Sequence, residues 1–227
     1  MKKILLFVAS LVISFSSFSE GTESLRKLRT FKGLSDKNVV SNGLYLNFGL
    51  GFPTFYDVPH TSSINFGIQP SIELGNQWLF YTSQNEKFGF GMNVTWFTLG
   101  YSSYTENSTD IATGIKYTGS SSYSNILFSL FRLGPTASFG FTEKLGLDFS
   151  FNVIPVANLG VNTTYTDNGY VAYGALFAPS VKFRYDILSV GFETWFGNLT
   201  NKQDFNGTTF TGTSNVFVPR IILGLKF

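Results

Sequence analysis

The chain has 227 residues, 18 % of them aromatic and only 13 % charged, with a net charge of +2, one histidine and no cysteine. That length is one domain or a little more, and the charge share lies well below the about 25 % of ordinary soluble domains. Nucleic-acid binding is not expected, because no basic patch with interleaved aromatics is present, and without cysteine there are no thiolate metal sites or cysteine nucleophiles.

Residues 1–19 read as a cleaved signal peptide. Lys2 and Lys3 form a positive start, residues 4–13 an apolar stretch, and Ser17, Phe18 and Ser19 a small-x-small cleavage site before Glu20. A membrane anchor would need about 20 apolar residues. A lipoprotein would need a cysteine at the cleavage point. Residues 20–42 are polar, with Arg26, Lys27, Arg29 and Lys32 close together. Leu25, Leu28, Phe31 and Leu34 recur every three residues, which allows a short amphipathic helix, but the expected state is a flexible lead-in.

From Gly43 to Phe227 the period becomes two. Leu44, Leu46, Phe48, Leu50 and Phe52 share one face, opposite Tyr45, Asn47, Gly49 and Gly51. Such alternation marks a strand with one apolar side. It recurs with Ile64, Phe66, Ile68, Pro70, Ile72 and Leu74 opposite Glu73, and with Phe88, Phe90, Met92, Val94 and Trp96 opposite Asn93. Next come Leu127, Phe131, Leu133, Ala137 and Phe139 opposite Arg132, then Leu145, Leu147, Phe149, Phe151 and Val153 opposite Asp148. Tyr173, Ala175, Phe177, Val181, Phe183 and Tyr185 oppose Lys182 and Arg184, and Leu188, Val190, Phe192 and Phe196 oppose Glu193. The last stretch sets Phe217, Ile221, Leu223, Leu225 and Phe227 against Arg220 and Lys226.

Short polar turns fall at 82–87, 142–144 and 186–187, and long polar segments at 53–63, 102–122, 158–171 and 197–214. Short turns on one side and long loops on the other are the mark of an outer-membrane barrel. Within lipid every backbone group must be paired, so the sheet has to close. The expected fold is all-β: a closed antiparallel up-and-down transmembrane β-barrel of about eight strands. The competing fold is a soluble β-sandwich. Against it, the polar face carries Gly, Ser and Asn with isolated charges of both signs, as a narrow lumen requires. Pro70, Pro135, Pro155, Pro179 and Pro219 share the lipid-facing parity, and their recurrence suggests a common bulge.

Glu73, Asp148 and Glu193 lie on the inward face, as do Arg132, Lys182, Arg184, Arg220 and Lys226. About eight strands leave an interior just filled by side chains, where buried charges need partners. An ion-paired plug that shuts the lumen is therefore expected, with a gated or weakly conducting pore as the alternative.

The final strand ends on Phe227 with Leu225 and Leu223 at alternate positions. It resembles the C-terminal signal read by the barrel-assembly machinery. Residues 43–227 as a whole resemble the small outer-membrane barrel family of OmpX and the OmpA transmembrane domain. The resemblance is to pattern and architecture, and implies a bacterial outer-membrane location with lipid and lipopolysaccharide as surroundings. A monomer is expected. No space is left for the periplasmic peptidoglycan-binding domain of OmpA proteins, so that role is not expected.

His60, the single histidine, has Asp57, Ser62 and Ser63 nearby and is the one candidate for chemistry. Families of this size include a lipid A palmitoyltransferase with an N-terminal amphipathic helix and a His–Asp–Ser set in its loops. A triad needs its base oriented by a third group, and nothing singles out one serine, so His60 reads as a solvated loop residue. No catalytic residue, metal or cofactor is assigned. The expected role is structural or surface interaction. The alternatives are a small pore or transporter of apolar molecules and a lipid A acyl-chain-modifying enzyme.

Overall fold

The computed structural model describes residues 39–57, 63–108, 119–162, 169–205 and 208–227. The chain divides into two compact units, Met1–Lys37 and Asn38–Phe227, and every described residue belongs to the second. The signal peptide and the possible helix at Leu25 to Leu34 therefore lie outside the described residues.

Ten strands form: β1 (Gly43–Gly51), β2 (Thr54–Asp57), β3 (Ser63–Asn65), β4 (Gln69–Thr82), β5 (Phe88–Ser108), β6 (Gly119–Gly140), β7 (Leu145–Asn162), β8 (Gly169–Tyr185), β9 (Leu188–Phe205) and β10 (Thr208–Lys226). Pairing runs from β1 to β4 and on through β5, β6, β7, β8 and β9 to β10, which pairs β1 in turn. All these pairs are antiparallel. The single sheet thus closes on itself, which rules out the two-sheet sandwich. Closure is in register from Tyr45 opposite Lys226 to Gly51 opposite Arg220.

The expectation of about eight strands needs correction. Pro53, which has no N–H to give, interrupts the first arm into β1 and β2, and the short β3 folds back on β2. β2 continues the first arm's pairing with β10 from Phe217 opposite Thr54 to Ser214 opposite Asp57. The expected long loops at 102–122, 158–171 and 197–214 are also strand in their described residues. β5 and β6 reach 21 and 22 residues, about twice the 9–11 residues that cross a hydrocarbon core. Their Ser-, Thr- and Asn-rich arms keep pairing beyond the apolar belt. The tight turns do fall where the polar breaks put them. Asp186, at φ 57°, takes the left-handed conformation that lets a two-residue connection join twisted strands.

Apolar side chains cover the outside of the ring. Phe90, Phe149, Phe177 and Ile221, expected to face outward, are exposed by 43–48 %. Phe66, expected with them, is buried at 3 %. It sits in the irregular stretch after β3, and its ring packs inside against Phe55 and Tyr104, each at 4.5 Å between centroids. Leu127 is likewise inside rather than outside. A register shift between Ser129 and Leu133 on β6, with Phe131 at φ 54°, inserts one residue, and a one-residue slip exchanges the two faces of a strand. A common proline bulge is absent. The shifts in β4 and β6 lie away from the prolines, and β7, β8, β9 and β10 pair in constant register through Pro155, Pro179 and Pro219.

Candidate functional site

The interior divides into two halves. The half near the loop end holds an apolar cluster, in which Phe55, Phe66, Leu127, Ile154, Val156, Leu176, Leu199, Val216 and Val218 pack together with Trp195, beside the buried Ser102, Asn125, Ser129 and Asn158. The half near the turn end is polar, and there the structure gathers most of the charged residues singled out in the sequence. Alternation on β4, β6, β9 and β10 aims Glu73, Arg132, Glu193 and Arg220 inward, and all four are 1 % exposed or less.

Arg220 Nη1 donates to Glu73 Oε1 at 2.6 Å and to Glu193 Oε1 at 2.7 Å. Arg132 Nη1 donates to Glu193 Oε1 at 2.9 Å, and its Nη2 donates to Glu193 Oε2. Arg132 Nη1 also lies 3.5 Å from Glu73 Oε1. Two acids and two bases thus cancel in a buried quartet that joins four strands. Its periphery is hydrogen-bonded as well: Trp195 Nε1 donates to Glu193 at 2.5 Å, Asn47 Nδ2 to Glu73 at 3.2 Å, and Arg220 Nη2 to Ser71 Oγ at 2.6 Å. Arg220 stacks 4.0 Å over the Trp195 ring. The arginine–carboxylate contacts are charge-assisted, about twice as strong as neutral ones.

A second cluster lies toward the turns. Arg184 Nη2 donates to Asp148 Oδ1 at 3.0 Å and its Nε lies 2.6 Å from Oδ2. Ser138 Oγ donates to Asp148 Oδ1 at 2.5 Å, and Gln77 Nε2 donates to Ser138 at 2.7 Å. Lys226 Nζ donates to Gln77 Oε1 at 2.8 Å and to the Ser41 carbonyl at 2.7 Å. Lys182 stands apart from the ion pairs, with its Nζ 5.1 Å from the centre of the Tyr45 ring.

Three features are new relative to the sequence reading. Trp195 reads as one more apolar residue in a strand, yet it is fully buried and separates the two halves. Gln77, Ser138 and Asn47 are ordinary polar residues whose roles emerge only from cross-strand pairing. Val39 and Val40, in the expected lead-in, are 3 % and 4 % exposed. They fold across the turn end, where Val39 N–H donates to the Glu143 carbonyl at 2.8 Å and Leu79 N–H to Asn42 Oδ1 at 2.5 Å. Glycine makes the room: a Cβ on Gly146 would come within 2.9 Å of Val39 Cγ2.

At the seam, Leu223 is exposed, Leu225 faces Leu46, and Phe227 N–H donates to the Leu44 carbonyl at 2.7 Å. His60 and Ser62 lie outside the described residues. Among the described residues no cluster of three or more His, Asp or Glu side chains could hold a metal ion.

No family model matches the chain, and no curated relative matches it. Solved structures with a similar chain path include the outer membrane protease OmpT from Escherichia coli, with a TM-score of 0.45 at 9 % identity over 82 % of this chain and 96 % of that one. Another is Ail, the attachment invasion locus protein of Yersinia pestis, in complex with the heparin analogue sucrose octasulfate, at 0.44, 7 %, 82 % and 99 %. A major outer membrane protein from Thermus thermophilus gives 0.42, 11 %, 82 % and 100 %. At these values the likeness transfers no activity, ligand or partner.

Proposed function

We propose that this chain is an integral bacterial outer-membrane barrel with a structural or surface-interaction role and a lumen closed to ions. The carrying observation is the closed ring whose outer face is apolar on every long strand, from Phe48 on β1 through Phe90, Leu133, Phe151, Phe177 and Phe192 to Ile221 on β10. Soluble monomers rarely expose contiguous apolar patches beyond a few hundred Å². A ring leaves no unpaired edge, which lipid demands of any spanning sheet. Lipid and lipopolysaccharide are the surroundings such a surface fits. The terminal Leu223, Leu225 and Phe227 are the stretch that the assembly machinery would read. Closure of the lumen is supported by the Glu73–Arg132–Glu193–Arg220 quartet across its middle and by Val39 and Val40 at the turn end.

The test combines two measurements on the full chain refolded in lipid. Unboiled samples should migrate faster on gels than boiled ones, the behaviour of a folded membrane barrel. Planar bilayers should then show no steady conductance. A chain that is soluble without detergent would overturn the membrane reading. Steady single-channel steps would replace the closed lumen with a pore.

A further inference from the structure

Counting charge inside the ring leaves a remainder. The inward carboxylates among the described residues are Glu73, Asp148 and Glu193, and each is engaged by an arginine: the first and third by Arg132 and Arg220, the second by Arg184. Three acids and three arginines cancel. Two inward lysines remain: Lys226, which donates to Gln77 and to the Ser41 carbonyl, and Lys182. No carboxylate oxygen among the described residues lies within 4.0 Å of its Nζ, and both oxygens of its cross-strand neighbour Asp148 are already taken by Arg184. Lys182 is half-buried on the lumen side, beside the Tyr45 ring, and an ammonium partly withdrawn from water favours a counter-charge.

Beside it is a cavity of about 30 Å³, whose lining includes Tyr45, Ser150, Ser180, Lys182 and Ser189. One water needs about 10–15 Å³ by the same measure, so the space takes one or two particles of that size. Asp148 is its sole lining carboxylate, against Lys182, Arg184 and Lys226. Ser150 and Ser180 hydroxyls lie 2.7 Å apart at its wall, and a hydroxyl rotates to donate wherever an acceptor sits.

We propose that this cavity is a binding site for a single halide-sized inorganic anion, held by the Lys182 ammonium and serine hydroxyls. Its volume leaves no room for an anion larger than one or two water-sized particles. The site depends on the closed ring and its interior charges, not on what the outer surface does, so it stands or falls separately from the membrane role.

The full chain, folded in detergent micelles, is unfolded with urea in sodium chloride, sodium bromide or sodium gluconate at equal ionic strength. Chloride and bromide should raise the midpoint above that in gluconate, with a saturable dependence on halide concentration. Lys182→Met should abolish the difference, and Lys182→Arg should keep it. Crystals grown in bromide should show an anomalous peak beside Lys182. Equal midpoints in all three salts, or a halide effect undiminished in Lys182→Met, would overturn the site. If Lys182→Met does not fold, the wild-type salt comparison and the bromide peak decide.

Discussion

The two halves of the interior are filled by opposite means. Toward the turns, Glu73, Arg132, Glu193 and Arg220 hold four strands together through ion pairs. Toward the loops, Ile154, Leu176, Leu199, Val216 and Val218 do so by packing, like the core of a soluble domain. An ion-paired interior is unforgiving: deleting one partner strands the other charge without water. An apolar interior loses contacts in proportion to the volume removed. The same ring should therefore respond to mutation in two distinct ways.

The largest effect is expected at Glu193, which touches both arginines and Trp195. Glu193→Gln keeps the shape and removes the charge, leaving Arg132 and Arg220 to share Glu73. Breaking one partner of a buried pair costs about 3–5 kcal/mol, read as a lower urea midpoint. Adding Arg132→Met should restore part of that loss, since the double variant is again charge-balanced. A double variant as weak as the sum of both singles would show that the quartet does not act as a unit.

In the apolar half, Leu199→Ala should cost about 2–5 kcal/mol, the usual range for a large-to-small change with its cavity. Its signature differs from that of Glu193→Gln. With the lumen closed at the charged quartet, as proposed, bilayer conductance should stay silent. Conductance steps in Leu199→Ala would move the barrier from the polar half to the apolar one.

Val40→Asp tests the turn-end cover. An aspartate cannot stay beside Gly89 and Gly140, where Val40 now packs, so residues 39–42 should leave the mouth. The loss is limited to that segment's docking, of which the two backbone-donated hydrogen bonds account for about 1–3 kcal/mol at about 0.5–1.5 each. Faster hydrogen exchange at Leu79, whose N–H now rests on Asn42, is the direct readout. Unchanged protection there would mean that the cover does not depend on Val40.

The same contrast explains what is legible in the sequence. Where one face is apolar and the other polar, as in residues 145–152 around Asp148, strict alternation gives both the strand and its orientation. The inward placement of all three acids follows from parity alone. On β7 in the loop-end half the inward Ile154 and Val156 are apolar like their outward neighbours, so Val153, Ile154, Pro155, Val156 and Ala157 form an unbroken run. Alternation has nothing to read there, and the internal core around Ile154 leaves no periodic trace. Bulges are equally silent, because the extra residue at Phe131 carries no distinctive side chain yet moves Leu127 indoors. Val39 and Val40 give no signal either, since two valines after a charged stretch have no period at all.

The smallest effect is expected at Phe90, and it is read against Phe66, a second phenylalanine that the sequence places on an outward face. Phe66→Ala removes a ring packed between Phe55 and Tyr104, and should cost about 3–5 kcal/mol. Phe90 is 48 % exposed on the outer wall. In a bilayer its ring exchanges contact with lipid tails, which are as apolar as leucine. No cavity remains after Phe90→Ala, because fluid chains flow into the space that a rigid core cannot fill. The expected loss in lipid is therefore about 1 kcal/mol or less, the transfer and cavity terms of a core deletion both being small there. Urea midpoints of the two variants in the same lipid vesicles make the comparison. Equal losses would mean that Phe90 packs against protein rather than lipid, and the outward parity of β5 would have to be redrawn.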